Sequence, residues 1–127
     1  MSSKCGCGCS CGSQSLKLIF PCSGAADVGE IADRVGRKLN REGKGKMFCV
    51  VGIGGRVSGI MATTEAAGKI VAIDGCPLAC VQNSLEQAGF KTYAHLKLWE
   101  LGLKKGETAV TDEVIDRVAA EAAKLLA

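Results

Sequence analysis

From residue 16 to the end of the chain, short runs of apolar residues alternate with segments whose apolar residues recur at helical spacing. That alternation limits the fold more than any other feature, because a strand–helix–strand order forces neighbouring strands to run parallel, with helices packed over them. LKLIF at 16–20 reads as a short strand closed by Pro21. In DVGEIADRVGRKL, 27–39, Val28, Ile31, Ala32, Val35 and Leu39 fall on one helical face, and Asp27 suits the N-cap. KMFCVVGI, 46–53, is an almost unbroken apolar run with β-branched members, the pattern of a buried parallel strand.

RVSGIMATTEAA, 56–67, predicts a weaker helix interrupted by Gly59, and KIVAID, 69–74, a third strand. Pro77 is placed for the first turn of a third helix with Leu78, Val81, Leu85 and Ala88 as its buried stripe. KTYAHLKL, 91–98, predicts a fourth strand. A last helix from Thr111 carries Val114, Ile115, Val118, Ala122 and Leu125 on one face. The expected architecture is a single α/β domain over 16–127, βαβαβαβα, with a mainly parallel four-stranded sheet in a three-layer, flavodoxin- or Rossmann-like arrangement. No domain boundary or internal repeat interrupts it.

Residues 1–15 are built of Ser, Gly and Cys and hold almost nothing apolar. They predict a flexible tail. The tail lacks the apolar stretch of a signal peptide, and no run reaches the ~20 residues of a membrane span. Both observations predict a cytoplasmic protein without membrane association. A net charge of +3 favours solubility, and with no basic face interleaved with aromatics, nucleic acid is not an expected partner. Lys44 and Lys46 sit among glycines as a solvated turn.

Eight cysteines in 127 residues demand an explanation. A secreted disulfide scaffold would be shorter, loop-rich and poor in regular structure. Thiols in a reducing compartment are more often metal ligands or redox groups. Placed on the outline above, Cys22 follows strand one, Cys49 lies in strand two, Cys76 follows strand three, and Cys80 is four residues further along helix three. In a parallel sheet all strands end at one edge, where open α/β proteins hold their ligands. Four cysteines distant in sequence therefore converge.

Four thiolates suit zinc, which takes a tetrahedral sulfur shell at about 2.3 Å. An iron–sulfur cluster would accept the same donors. On a helix, Cys76 and Cys80 at i, i+4 would share a face, and a helix N-terminus would favour their negative charge. Any one of these cysteines alone would read as a small buried hydrophobe.

The stretches PCSGAADVGEIADRVGRKL (21–39), MFCVVGIGG (47–55), AIDGCPLAC (72–80) and LGLKKG (101–106) closely resemble the DGC-domain family, described as zinc-binding proteins. The family takes its name from the motif seen here as Asp74-Gly75-Cys76. The resemblance spans about residues 18–106 and implies a four-cysteine zinc site at Cys22, Cys49, Cys76 and Cys80. It implies no settled biochemical role, and the CGCGCSC tail is not part of the pattern.

The reading that follows is a zinc-binding protein with a structural, sensing or metal-carrier role. A closed four-thiolate shell leaves no open position for substrate or water, which argues against hydrolysis. The alternative is a thiol–disulfide oxidoreductase or thiol-transfer enzyme with Cys76 as nucleophile and Cys80 as resolving thiol. Four residues on a helix rise ~6 Å with parallel Cβ vectors, a poor geometry for a disulfide.

Other signals are weaker. Cys5, Cys7, Cys9 and Cys11 alternate with Gly and Ser and could wrap a soft metal or remain reactive thiols. GIGG, 52–55, is not a dinucleotide fingerprint, because the third glycine of GxGxxG would be Val57. Cys22 before a loop and helix resembles a phosphatase anion loop, but the arginine expected six positions on is Val28. His95 has no evident partner and reads as a structural residue. Asp74 is expected to cap helix three, to orient its loop, or to support a thiolate from behind.

Overall fold

The computed structural model describes residues 16–127, so the expected tail over 1–15 lies outside the described residues. The elements in order are β1 (Lys17–Pro21), α1 (Asp27–Arg41), β2 (Lys46–Met47), α2 (Val50–Gly54), α3 (Ser58–Ala66), β3 (Lys69–Asp74), α4 (Cys80–Gln87) and β4 (Ala94–Lys97). A 3-10 turn, Leu98–Leu101, follows β4, and α5 (Asp112–Leu126) closes the chain. The four strands form one all-parallel sheet in the order β2-β1-β3-β4. This is the α/β architecture expected from the alternation.

Strand periodicity divides the apolar residues between two cores. Ile19, Val71, Ile73 and Leu96 face α1 and α5, where they meet Ile31, Val35, Leu39, Val118 and Ala122. Leu18, Phe20, Ile70 and Ala72 face the opposite side and pack with Ile53, Val81 and Leu85 of α2 and α4. Because β1 and β3 are covered on both faces, their residues are apolar almost without interruption. Val28, Ile31, Ala32, Val35 and Leu39 are all buried, as helical spacing required.

Four local expectations are corrected. The long second strand is two residues, and the rest of its apolar run turns into α2, with Cys49 at the N-cap. A run apolar on every side carries no period to separate strand from helix. As a helix it buries Ile53 in the second core and leaves Val51 exposed.

The third helix begins at Cys80, not at Pro77, because Ala79 takes a left-handed conformation (φ 50°, ψ 52°) that no α-helix interior accepts. Cys76 therefore lies in a loop, and Leu78 is exposed instead of buried. The N-cap of α1 is Ala26, and Asp27 is its first residue. In α5 the core position near the end is Leu126, while Leu125 is only partly buried.

Candidate metal centre

The site begins at a reversal in the chain's path. From β1 the chain passes through α1 to β2 on one side, then returns past β1 to β3 on the other. α1 covers one face of the sheet and α4 the other. The loops leaving β1 and β3 thus head for helices on opposite faces, and the strand ends between them are the crevice position where such sheets hold ligands.

Cys22 sits at this point. Its backbone N–H donates to the Ile73 carbonyl at 2.7 Å, carrying the β1–β3 ladder one residue past the strand. Its side chain packs against both cores. Cys76 lies across the crevice, two residues after β3, and Cys80 opens α4.

Two glycines let the loops approach. A Cβ on Gly75 would lie 2.8 Å from the backbone of Val28, and a Cβ on Gly29 would lie 2.5 Å from the carbonyl oxygen of Gly24. Both distances are shorter than any side chain tolerates. The β1–α1 loop, the first turn of α1 and the loop after β3 are therefore packed backbone to backbone.

Asp74 connects the strand to the helix. Its carboxylate is 1% exposed and accepts from the amides of Val81 at 2.9 Å and Gln82 at 3.1 Å. The N-cap residue Ala79 has no side chain able to cap, so the carboxylate from β3 takes the orphan amides in its place. Capping was among the roles the sequence suggested for Asp74.

The partner of His95, invisible in the sequence, is the same carboxylate. His95 Nε2 stands 2.8 Å from Asp74 Oδ2. The pairing arises because β3 and β4 are neighbours in register, with Asp74 opposite Lys97 and Ala72 opposite His95.

All four described cysteines are free thiols, Cys22 and Cys76 half-buried and Cys49 and Cys80 exposed. Burial pushes the Cys80 thiol above its ordinary pKa, and negative charge at Cys22, Asp74 and Cys76 adds to the effect, while Lys105 opposes it. Cys80 is thus within electrostatic reach of both Cys22 and Cys76. Lys105 belongs to the LGLKKG stretch, whose conformation is tied to α1 through Asp27: its carboxylate accepts from the amides of Gly106 and Thr108 at 2.9 and 3.0 Å.

Cys49 stands apart from that group in its surroundings. It opens onto a cleft of about 630 Å³ between α1 and α2, with Ser23, Arg37, Met47 and Phe48 in the wall. Among the described residues, no three Cys, His, Asp or Glu side chains stand at metal-holding separations. The donors thus match a thiophilic cation in kind without forming a closed shell.

Comparison with known proteins agrees with the order of motifs. The DGC-domain model matches residues 18–122, most of the described chain. This chain belongs to the DGC-domain family. Its relatives include the anaerobic and virulence modulator AnvM of Pseudomonas aeruginosa strain PAO1, 37% identical over 90 residues, which are 71% of this chain and 69% of that protein. No solved structure matches. Asp74, Gly75 and Cys76 of this DGC-domain protein therefore have separate physical tasks: a cap for α4, a close backbone contact and a thiol at the crevice. Among the described residues, no helix is long and apolar enough to cross a membrane.

Proposed function

We propose that this DGC-domain protein binds zinc through the thiolates of Cys22, Cys49, Cys76 and Cys80 at the C-terminal edge of the sheet, in a structural, sensing or metal-carrier role. What supports this reading is the placement of Cys22 just after β1, Cys76 just after β3 and Cys80 at the start of α4, all free thiols along the edge where the strands end. Thiols that repel one another as anions gain most from a shared cation, and zinc with a sulfur shell supplies that charge. Cys49, exposed at the start of a five-residue helix, supplies the fourth donor.

A sensing role suits the company of a relative named as a modulator. The thiol-redox alternative gains one point and loses another. With Cys76 in a loop, the parallel Cβ vectors no longer forbid a link to Cys80. Yet burial and neighbouring negative charge raise the Cys80 pKa, which disfavours the thiolate that a resolving step needs. Elemental analysis of anaerobically purified protein tests the metal reading. One zinc per chain, lost from the single Cys→Ser variants, supports it; a metal-free protein, or full retention in all four variants, overturns it.

A further inference from the structure

His95 is an unusual choice for its position. Its side chain is only 10% exposed, enclosed by Tyr93 on one side and Trp99 on the other, with ring centroids 6.1 and 6.3 Å away. Its Nδ1 is buried and has no hydrogen-bond partner among the described residues. A leucine or phenylalanine would fill such a space without stranding a polar atom. A buried group kept in spite of an unsatisfied atom calls for a reason other than packing.

The reason lies at the other ring nitrogen. Both oxygens of Asp74 already accept from amides, Oδ1 from Val81 and Oδ2 from Gln82. The proton shared between His95 and Asp74 therefore sits on Nε2, donated to Oδ2 at 2.8 Å. With Nε2 committed to Asp74, the hydrogen-bonding capacity of Nδ1 stays unmet among the described residues.

A chain of contacts thus runs from His95 on β4, through the carboxylate of Asp74 on β3, to the first turn of α4. That turn begins with Cys80. It follows the left-handed Ala79, whose amide donates back to the Cys76 carbonyl at 3.0 Å. A strained residue persists only where its surroundings over-determine it. Here the surroundings are the capped amides on one side and the turn from Cys76 on the other.

We infer that His95 is a positioning residue for the cysteine site: by orienting the Asp74 carboxylate it holds the Cys76–Cys80 turn in the conformation from which both thiols would reach a shared metal. The inference rests on the metal-binding reading for its purpose, but the hydrogen-bond chain exists without metal and can be tested without it. His95→Gln keeps a donor that can reach Asp74. His95→Phe fills the space without a donor, and His95→Asn keeps polarity on a side chain too short for the contact.

The test uses the full chain in two arms. In metal-free protein, amide hydrogen exchange at Val81 and Gln82 is expected to rise about tenfold in His95→Phe, the scale of one lost hydrogen bond, while Ile73 in β3 stays protected. Alkylation of Cys80 should accelerate with it and that of Cys22 should not. His95→Gln should restore both readouts. In the second arm, zinc affinity measured by chelator competition should fall at least tenfold in His95→Phe and recover in His95→Gln.

Uniformly faster exchange across the domain, with no selectivity for the first turn of α4, would overturn the inference, as would unchanged exchange. If His95→Phe does not fold, the contrast between His95→Gln and His95→Asn decides on the same readouts, and equal behaviour overturns it. Selective exchange in a parent protein that binds no zinc would uphold the positioning role and remove the metal reading alone.

Discussion

A methyl group on Gly75 would stand 2.8 Å from the carbonyl carbon and oxygen of Val28. The residue between Asp74 and Cys76 thus has to lack a side chain, because the loop after β3 lies directly on the first turn of α1. The atoms it would strike are backbone, which cannot rotate away. Gly75→Ala is expected to cost about 1–3 kcal/mol through overpacking, seen as a lower melting temperature. Because the displacement falls next to Cys76, zinc affinity should fall as well. An alanine variant with the parent's melting temperature and metal content would contradict the close packing.

Alkylation separates the metal reading from the redox one. A thiolate bonded to zinc reacts slowly with iodoacetamide, whereas a free reactive thiolate reacts fast. Brief treatment of zinc-loaded protein is expected to modify Cys5, Cys7, Cys9 and Cys11 and to spare Cys22, Cys49, Cys76 and Cys80. A strong chelator should then expose those four together. Early, selective labelling of Cys76 in the loaded protein, read by peptide mass mapping, would favour the oxidoreductase.

Asp27 provides a pH-dependent link between α1 and the loop before α5. Hydrogen bonds from the Gly106 amide, then the Thr108 amide, hold its carboxyl below its ordinary value of 3.8. A depressed folded-state pKa contributes stability that is fully present above the unfolded value and is lost as pH falls through the folded one. The melting-temperature gap between the parent and Asp27→Asn should therefore be constant from neutral pH down to about 5 and narrow below 3.8. A gap that does not change with pH would assign the effect to shape instead of charge.

Phe48 precedes Cys49, and its ring meets Phe20 edge to face at 5.9 Å. Phe20 is fully buried, so this contact fastens the start of α2 to the second core. Phe48→Ala is expected to destabilise by about 2–3 kcal/mol, at or below the low end of the range for a large aromatic because the ring is only partly buried. In metal-free protein it should also raise the alkylation rate of Cys49 without changing that of Cys22. Equal rates in parent and variant would mean that α2 is held by other contacts.

Local periodicity in the sequence determined the alternating elements, the parallel sheet and the buried face of α1, because spacings of 2 and 3.6 residues are written directly in the order of apolar side chains. It also determined that Cys22 and Cys76 would follow strands ending at the same edge, since parallel strands all end at one edge. Where apolar residues face every direction, as in 46–53, no period exists, and only packing decided that the chain leaves the sheet after Met47 and turns into α2. The left-handed Ala79 carries no signal in its residue type, so the late start of α4 and the loop position of Cys76 were equally hidden. The His95–Asp74 pair joins residues 21 apart through the register of β3 and β4. Register depends on which strands become neighbours, and that was settled only when the helices covered both faces of the sheet.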